Sequence, residues 1–218
     1  DESAQIVIFE RSGYISYANC GLPYYIGGVI EDRDDLTLQS PDSFWNRFRI
    51  DVHVRHEVAE INREKKTVTV RALDTGRVFE ESYDKLLLSP GAVPVRPSLP
   101  GIESGRIYTL RTVEDTLRIR EAVERKDVRS AAIIGGGFIG VETAENMREA
   151  GLEVSLIQRG DHVIAPLDRD MASFLHAHMR AKGVNLLLKK NVAGFEETDG
   201  GISVLLENEV PLSVDMVI

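Results

Sequence analysis

Only one cysteine, Cys20, occurs in 218 residues. A single thiol excludes an intrachain disulfide and makes a cysteine-based metal site improbable, a pattern that fits a reducing compartment. Basic residues are outnumbered, 26 Lys and Arg against 35 Asp and Glu, for a formal charge of -9. Without a basic surplus to neutralise phosphates, the composition argues against nucleic acid or an anionic membrane as partner. Small anionic ligands, which need only a few local donors, stay open. No apolar run nears the roughly 20 residues that span a bilayer, and no signal peptide opens the chain, so the expected location is cytoplasmic. The histidines, His53, His56, His162, His176 and His178, offer no metal argument. His176 and His178, two apart, face differently on a helix, and all are expected to be solvated. No methionine begins the chain, and strand-like runs lie close to both ends, IVIFE at Ile6–Glu10 and VDMVI at 214–218. The sequence therefore reads as an internal piece of a longer protein.

What is present is enough apolar residue, 43%, for one large core or two modest ones. The stretch SPDSFWNRF, 40–48, predicts a short helix with Ser40 as its cap and Pro41 at its first position. Residues 50–54, 57–62, 66–73 and 77–81 predict strands of an antiparallel meander, the last two joined at the turn signal Asp74-Thr75-Gly76. KLLLSPGAVPVRPSLPG, 85–101, predicts a buried strand ending at Ser89-Pro90-Gly91, then a connector stiffened by proline. The domain boundary is placed near residue 105, giving domains of 1–105 and 106–218. Beyond it, helices at 113–125, 138–151 and 168–182 alternate with strands at 131–135, 153–158 and 184–188, a βαβ rhythm. Further strands are expected at 192–197, 201–206 and 213–218.

GGGFIG places Gly135, Gly137 and Gly140 in GxGxxG spacing, between a strand and a helix, with a second strand ending about twenty residues on. That context points to a bound pyrophosphate. Gly135 permits the tight turn, Gly137 lets backbone approach the phosphates, and Gly140 brings helix close to strand, while the helix N-terminus supplies unpaired N–H groups. Where NAD enzymes carry an acid for the ribose hydroxyls this chain has Gln158, followed by Arg159. Glutamine does not repel a 2′-phosphate and arginine attracts one, so NADPH, or tolerance of both NADPH and NADH, is expected. Glu10 closes IVIFE where an acid would take the ribose hydroxyls of a second adenosine; standing alone it would be an ordinary acid at a strand end. The lone cysteine has two readings from its residue type. It is a small buried hydrophobe, or, where Asn19 and Cys20 stand at a helix start, a thiol shifted toward thiolate. Gly21 leaves room beside the sulfur for something flat.

ISYANCGLPYYIGG, ESYDKLLLSPGA and IIGGGFIGVETAENM, in order over essentially the whole chain, resemble the pyridine nucleotide-disulfide oxidoreductase family. Within it they are similar to the single-cysteine branch of coenzyme A disulfide reductases, NAD(P)H persulfide reductases, and NADH oxidases and peroxidases. The resemblance implies an α/β fold of two dinucleotide-binding, Rossmann-like domains in three-layer ββα form, the first truncated at its N-terminus. It implies FAD and NADPH or NADH as cofactors, and a homodimeric parent protein. Cys20 is the implied redox residue, with coenzyme A disulfide or a related thiol or persulfide as substrate. Only one protein sulfur is needed because the substrate brings the second. Ser16 and Asn19 match residues that contact coenzyme A. Glu142 and Phe138, with Ile139 beside it, match positions near the flavin and nicotinamide; Glu10, Val58, Ser89, Pro90 and Gly91 match flavin-side positions. Some coenzyme A disulfide reductases carry a lysine for the substrate phosphates just after the helix at 40–48. Phe48 stands there in this chain, and Arg47 or Arg49 is the expected substitute. The family's first flavin glycine turn, second flavin motif and dimerisation domain are absent from the sequence, so poor FAD retention by these residues alone is expected. Ala18-Asn19 before the cysteine, in place of the serine of the oxidases, favours sulfur substrates. The alternatives are an NADH oxidase or peroxidase cycling through a cysteine sulfenic acid, and a non-catalytic, nucleotide-binding redox sensor.

Overall fold

The protein was analysed as a computed structural model that describes residues 3–218. The chain runs through β1 (Ile6–Glu10), β2 (Ser16–Tyr17), α1 (Leu22–Gly27), β3 (Thr37–Gln39), α2 (Pro41–Phe48), β4 (Ile50–Val54), β5 (His56–Asn62), β6 (Thr67–Ala72) and β7 (Val78–Ser82). It continues through α3 (Val113–Val123), β8 (Ser130–Ile134), α4 (Phe138–Glu149), β9 (Glu153–Gln158), α5 (Arg169–Ala181), β10 (Asn185–Leu188), β11 (Val192–Thr198), β12 (Gly201–Leu206), β13 (Leu212–Val214) and β14 (Met216–Val217). Two compact units form. One holds the described residues through Ala18 together with Thr37–Ala92; the other holds Asn19–Leu36 and Val93–Ile218. The contacts therefore divide the chain after Ala92, where the sequence suggested 105, and they give the cysteine segment to the second unit, because α1 packs on α3 and α4.

In the first unit β1 and β4 pair in parallel, Ile6 opposite Ile50 and Glu10 opposite Val54. β5, β6 and β7 form the antiparallel meander. Residues 50–54 are thus not part of that meander, contrary to the sequence expectation. The corner is Arg55, whose φ of 58° turns the chain out of β4, with its N–H donating to Ser12 O at 2.9 Å and its carbonyl accepting from Leu73 N at 2.8 Å. Such a left-handed residue is invisible to an alternation pattern. The alternation itself holds in β6, where Val68, Val70 and Ala72 are buried on one face. α2 begins as expected: Ser40 Oγ accepts from Ser43 N and Ser43 Oγ accepts from Ser40 N, a reciprocal capping box. The apolar run at 85–89 does not form the expected strand, and Leu87 and Leu88 are exposed. Strand backbone needs a neighbour for its N–H and C=O groups, and among the described residues no strand pairs with this run.

In the second unit β8, β9, β10 and β14 form a parallel sheet in the order β10-β9-β8-β14. The antiparallel sheet β11-β12-β13 covers one face. Ala132 and Ile157 of the parallel sheet meet Phe195, Ile202, Val204, Leu206 and Val214 there in one buried cluster. α4 lies against β8 and β9, and α5 against β10, so the order of layers is antiparallel sheet, parallel sheet, helices. The single strand expected at 213–218 is two, β13 in the antiparallel sheet and β14 in the parallel one. Asp215 makes the switch between them. Its Oδ2 accepts from Arg129 N, Ser130 N and Ser130 Oγ, each at 2.8 Å, pinning the chain to the start of β8. Among the described residues no helix is long and apolar enough to cross a membrane.

Candidate functional site

The turn from β8 into α4 has the geometry that each glycine was expected to provide. Gly135 sits at φ 110°, a conformation open to glycine and strained for other residues. Gly137 caps α4 with no side-chain hydrogen bond, and a Cβ built on it meets nothing within 4 Å. Gly137 offers the first N–H groups of this twelve-residue helix no capping side chain, whereas α2 and α3 close theirs with capping boxes. A Cβ on Gly140 would fall 1.9 Å from Gly135 O, so only glycine allows this approach of helix to turn. An anionic pyrophosphate fits this cradle: open space, backbone donors and a positive helix end converge there. Phe138 and Ile139, the next two residues, are more than half exposed, and Glu142 follows one turn later, partly buried.

The loop after β9 closes on the turn from the other side. Gln158 Oε1 accepts from Gly136 N at 3.1 Å, and Gln158 Nε2 donates to His162 O at 3.3 Å. The side chain expected to face a ribose is therefore engaged in holding the loop, while Arg159 beside it is exposed. Ile164 N donates to Gly136 O at 2.6 Å, and a Cβ on Gly136 would come within 2.8 Å of Val163 Cγ1. Asp161 bonds His162 Nδ1 at 2.7 Å and Arg169 at 2.8 Å. The hydrogen bond from His162, with the charges of Arg169 and Lys189, holds its carboxyl below the usual carboxylate range despite a desolvation penalty. His176, on α5, is 8% exposed and accepts from Val163 N at 3.2 Å. His176 is not solvated as the sequence suggested, and His162 is mostly buried too. A helix pattern shows which face a histidine takes, not which loop folds back over it.

Cys20 is a free, exposed thiol in a 3₁₀ turn, Asn19–Gly21, that leads into α1. Within this chain the thiol is therefore not a buried hydrophobe. The six residues of α1 are too few to hold a helix by themselves, and two arginines secure it. Arg111 Nη1 donates to Asn19 Oδ1 at 2.9 Å, just before the cysteine. Arg120 Nη1 donates to Tyr25 O and Ile26 O, at 3.1 and 3.0 Å, at the other end, with its guanidinium over the Tyr25 ring. Gly27 then packs so closely on α4 that a Cβ would lie 2.7 Å from Asn146 Oδ1. Gly136, Arg111, Arg120 and His176 are contributors that sequence reasoning missed. Arg111 and Arg120 lie about ninety residues from their partners, and no local pattern joins them.

The remaining candidates belong to the first unit. Glu10, at the end of β1, accepts from Ser12 N at 2.7 Å, the local role of a strand-end acid. Ser16 lies in β2, opposite Gln39 of β3. Val58 pairs with Val70 in the meander and is 39% exposed. Ser89, Pro90 and Gly91 are exposed, with Gly91 at φ 72°. Arg47 and Arg49, in the last turn and at the C-cap of α2, lie over the rings of Phe48 and Trp45, at 5.1 and 5.6 Å.

The family described as pyridine nucleotide-disulphide oxidoreductase matches residues 1–218. A coenzyme A disulfide reductase of Staphylococcus aureus (strain JH9) is 43% identical over 171 residues, covering 78% of this chain and 38% of that protein. Among solved structures, reduced Bacillus anthracis CoADR-RHD gives a TM-score of 0.95 at 44% identity, over 100% of this chain and 39% of that one. A NAD-dependent persulfide reductase from A. fulgidus gives 0.93 at 33% identity, over 100% of this chain and 41% of that one. The chain thus spans well under half the length of these relatives. A family match that runs from the first residue to the last, on a fold superposing this closely, means that the chain belongs to the pyridine nucleotide-disulphide oxidoreductase family.

Proposed function

We propose that the protein containing this chain is a flavin-dependent NAD(P)H oxidoreductase that reduces coenzyme A disulfide, or a related persulfide, through Cys20. The observation that carries this reading is the exposed lone thiol, held by Arg111 through Asn19, in the same compact unit as the glycine turn. The family membership and the coenzyme A disulfide reductase relative support it.

The chemistry of the chain's own residues follows from exchange. The Cys20 thiolate attacks one sulfur of the disulfide, a Cys20–substrate disulfide forms, and the other half leaves as a thiol after taking a proton. FAD and NAD(P)H, when bound, supply the two electrons that cleave this mixed disulfide. Cleavage frees the second thiol and returns Cys20 to thiolate. The turn Gly135–Gly140 with the start of α4 holds the NAD(P) pyrophosphate. Gln158, with no charge, leaves a 2′-phosphate unopposed, and exposed Arg159 attracts it, which favours NADPH. Asn19 is oriented by Arg111 and keeps its amide N–H groups for the substrate.

The test is a comparison, on the full-length protein, of NADPH and NADH consumption with coenzyme A disulfide, coenzyme A persulfide, peroxide and oxygen. Turnover with a sulfur substrate, abolished in Cys20→Ser, is expected. Full disulfide reductase activity in the serine variant would remove Cys20 from the reaction, and turnover with oxygen or peroxide alone would replace the substrate assignment.

A further inference from the structure

We infer that His176 is a positioning residue for the dinucleotide: in its neutral form it latches the loop after β9 onto the glycine turn, and its protonation releases the latch and weakens nucleotide binding. This inference rests on the proposed reading of the turn as an NAD(P) site.

The latch is a chain of contacts. His176 Nε2 accepts the N–H of Val163, which requires that nitrogen to be unprotonated. Val163 is fully buried and its side chain closes against Gly136. The next residue, Ile164, holds a φ of 50°, strained for a branched side chain, and donates to Gly136 O. Gly136 N is in turn taken by Gln158, whose amide also binds His162 O. The residue between Gly135 and Gly137 is thus gripped through its N–H, its carbonyl and its bare Cα by residues 158–164. His176 grips that loop from behind.

An imidazolium offers two donors and no acceptor. Protonated His176 would face the Val163 N–H donor to donor, in a buried setting where an unpaired amide is unfavourable. Burial is the main cause that holds His176 below the ordinary histidine range, helped by Arg180 on its own helix and by His162 from the loop. Asp161 opposes them, but it is already bonded to His162 and Arg169 and influenced by Lys189. The latch is therefore closed at neutral pH and opens only as pH falls through the lowered value. Because the nucleotide binds the latched form, the dissociation constant rises with acidification, by at most about tenfold per pH unit for one proton.

The test is calorimetric titration of the full-length protein with NADP+ and NAD+, which withstand acid, from about pH 8 to about pH 5. The parent is expected to lose affinity on the acid side, and His176→Gln, which keeps an acceptor but cannot titrate, to give a profile without that loss. The same acid loss in His176→Gln, or a parent profile that ignores pH, overturns the latch. Hydrogen exchange at the Val163 amide reads the latch without ligand. Protection that falls with acid in the parent and not in His176→Gln supports it. Absence of nucleotide binding at every pH, with Val163 protection still following acid, overturns the reading of the turn and with it the role of His176 in binding.

Discussion

At the scale of the residue, the glycine turn is where sequence and structure agree most closely: Gly135, at φ 110°, and Gly140, pressed against Gly135 O, are positions that glycine alone satisfies, while Gly137 leaves open space at the start of α4. Gly140→Ala would set a methyl 1.9 Å from a backbone oxygen. We expect destabilisation of about 1–3 kcal/mol, typical of overpacking, and loss of dinucleotide binding, read by thermal melting and by titration. Gly136 carries a different lesson. Its position is a free one in the motif, yet it bears the contacts of Gln158, Val163 and Ile164, which arrive from twenty or more residues away. Arg159 was legible as a charge and remains exposed. Replacement by glutamate is expected to lower affinity for NADP+ relative to NAD+ about tenfold, the scale of one charge-assisted hydrogen bond, in a paired titration. Unchanged discrimination would show that the 2′-phosphate is read elsewhere.

At the scale of the element, helices were easier to read than strands. The cap at Ser40 marks α2 and apolar spacing marks α3, and the observed ends of α2, α3, α4 and α5 lie within two residues of the expected ones. Strand partners are another matter, since alternation shows that a segment is extended but not what it pairs with. Residues 50–54 join β1 in parallel because Arg55 turns the chain, and residues 85–89 stay unpaired despite three consecutive leucines. α1 is the element whose stability is most clearly borrowed. Arg120→Ala removes two hydrogen bonds from a charged donor to the α1 carbonyls. A loss of about 1.5–3 kcal/mol is expected in a urea titration. Alkylation of Cys20 should quicken in the same variant, as its turn loosens; an unaltered rate would mean that Arg111 alone sets the turn.

At the scale of the whole molecule, acid is the condition to which the structure points. Asp215 is pushed up by burial but brought below the usual carboxylate range by the donors of Arg129 and Ser130, with the charge of Arg106. A depressed carboxyl stabilises above its unfolded value, and that contribution is lost as pH falls through the native one. His176, also depressed, acts in the same direction: its native site disfavours the charged form, so stability declines once pH drops below the ordinary histidine range. Asp215→Asn mimics the protonated acid. Its melting temperature should lie below the parent's at neutral pH and approach it on acidification, and a constant gap would refute a role for the charge. The division into units was only half legible, because proline in the connector marks a boundary while nothing local assigns Asn19–Leu36 to the unit that follows. That assignment carries a consequence of its own. Through Gly27 on Asn146, the cysteine's helix takes its position from α4, the same rod whose first residues form the glycine turn. A displacement of α4 would therefore be felt at the sulfur and at the turn together.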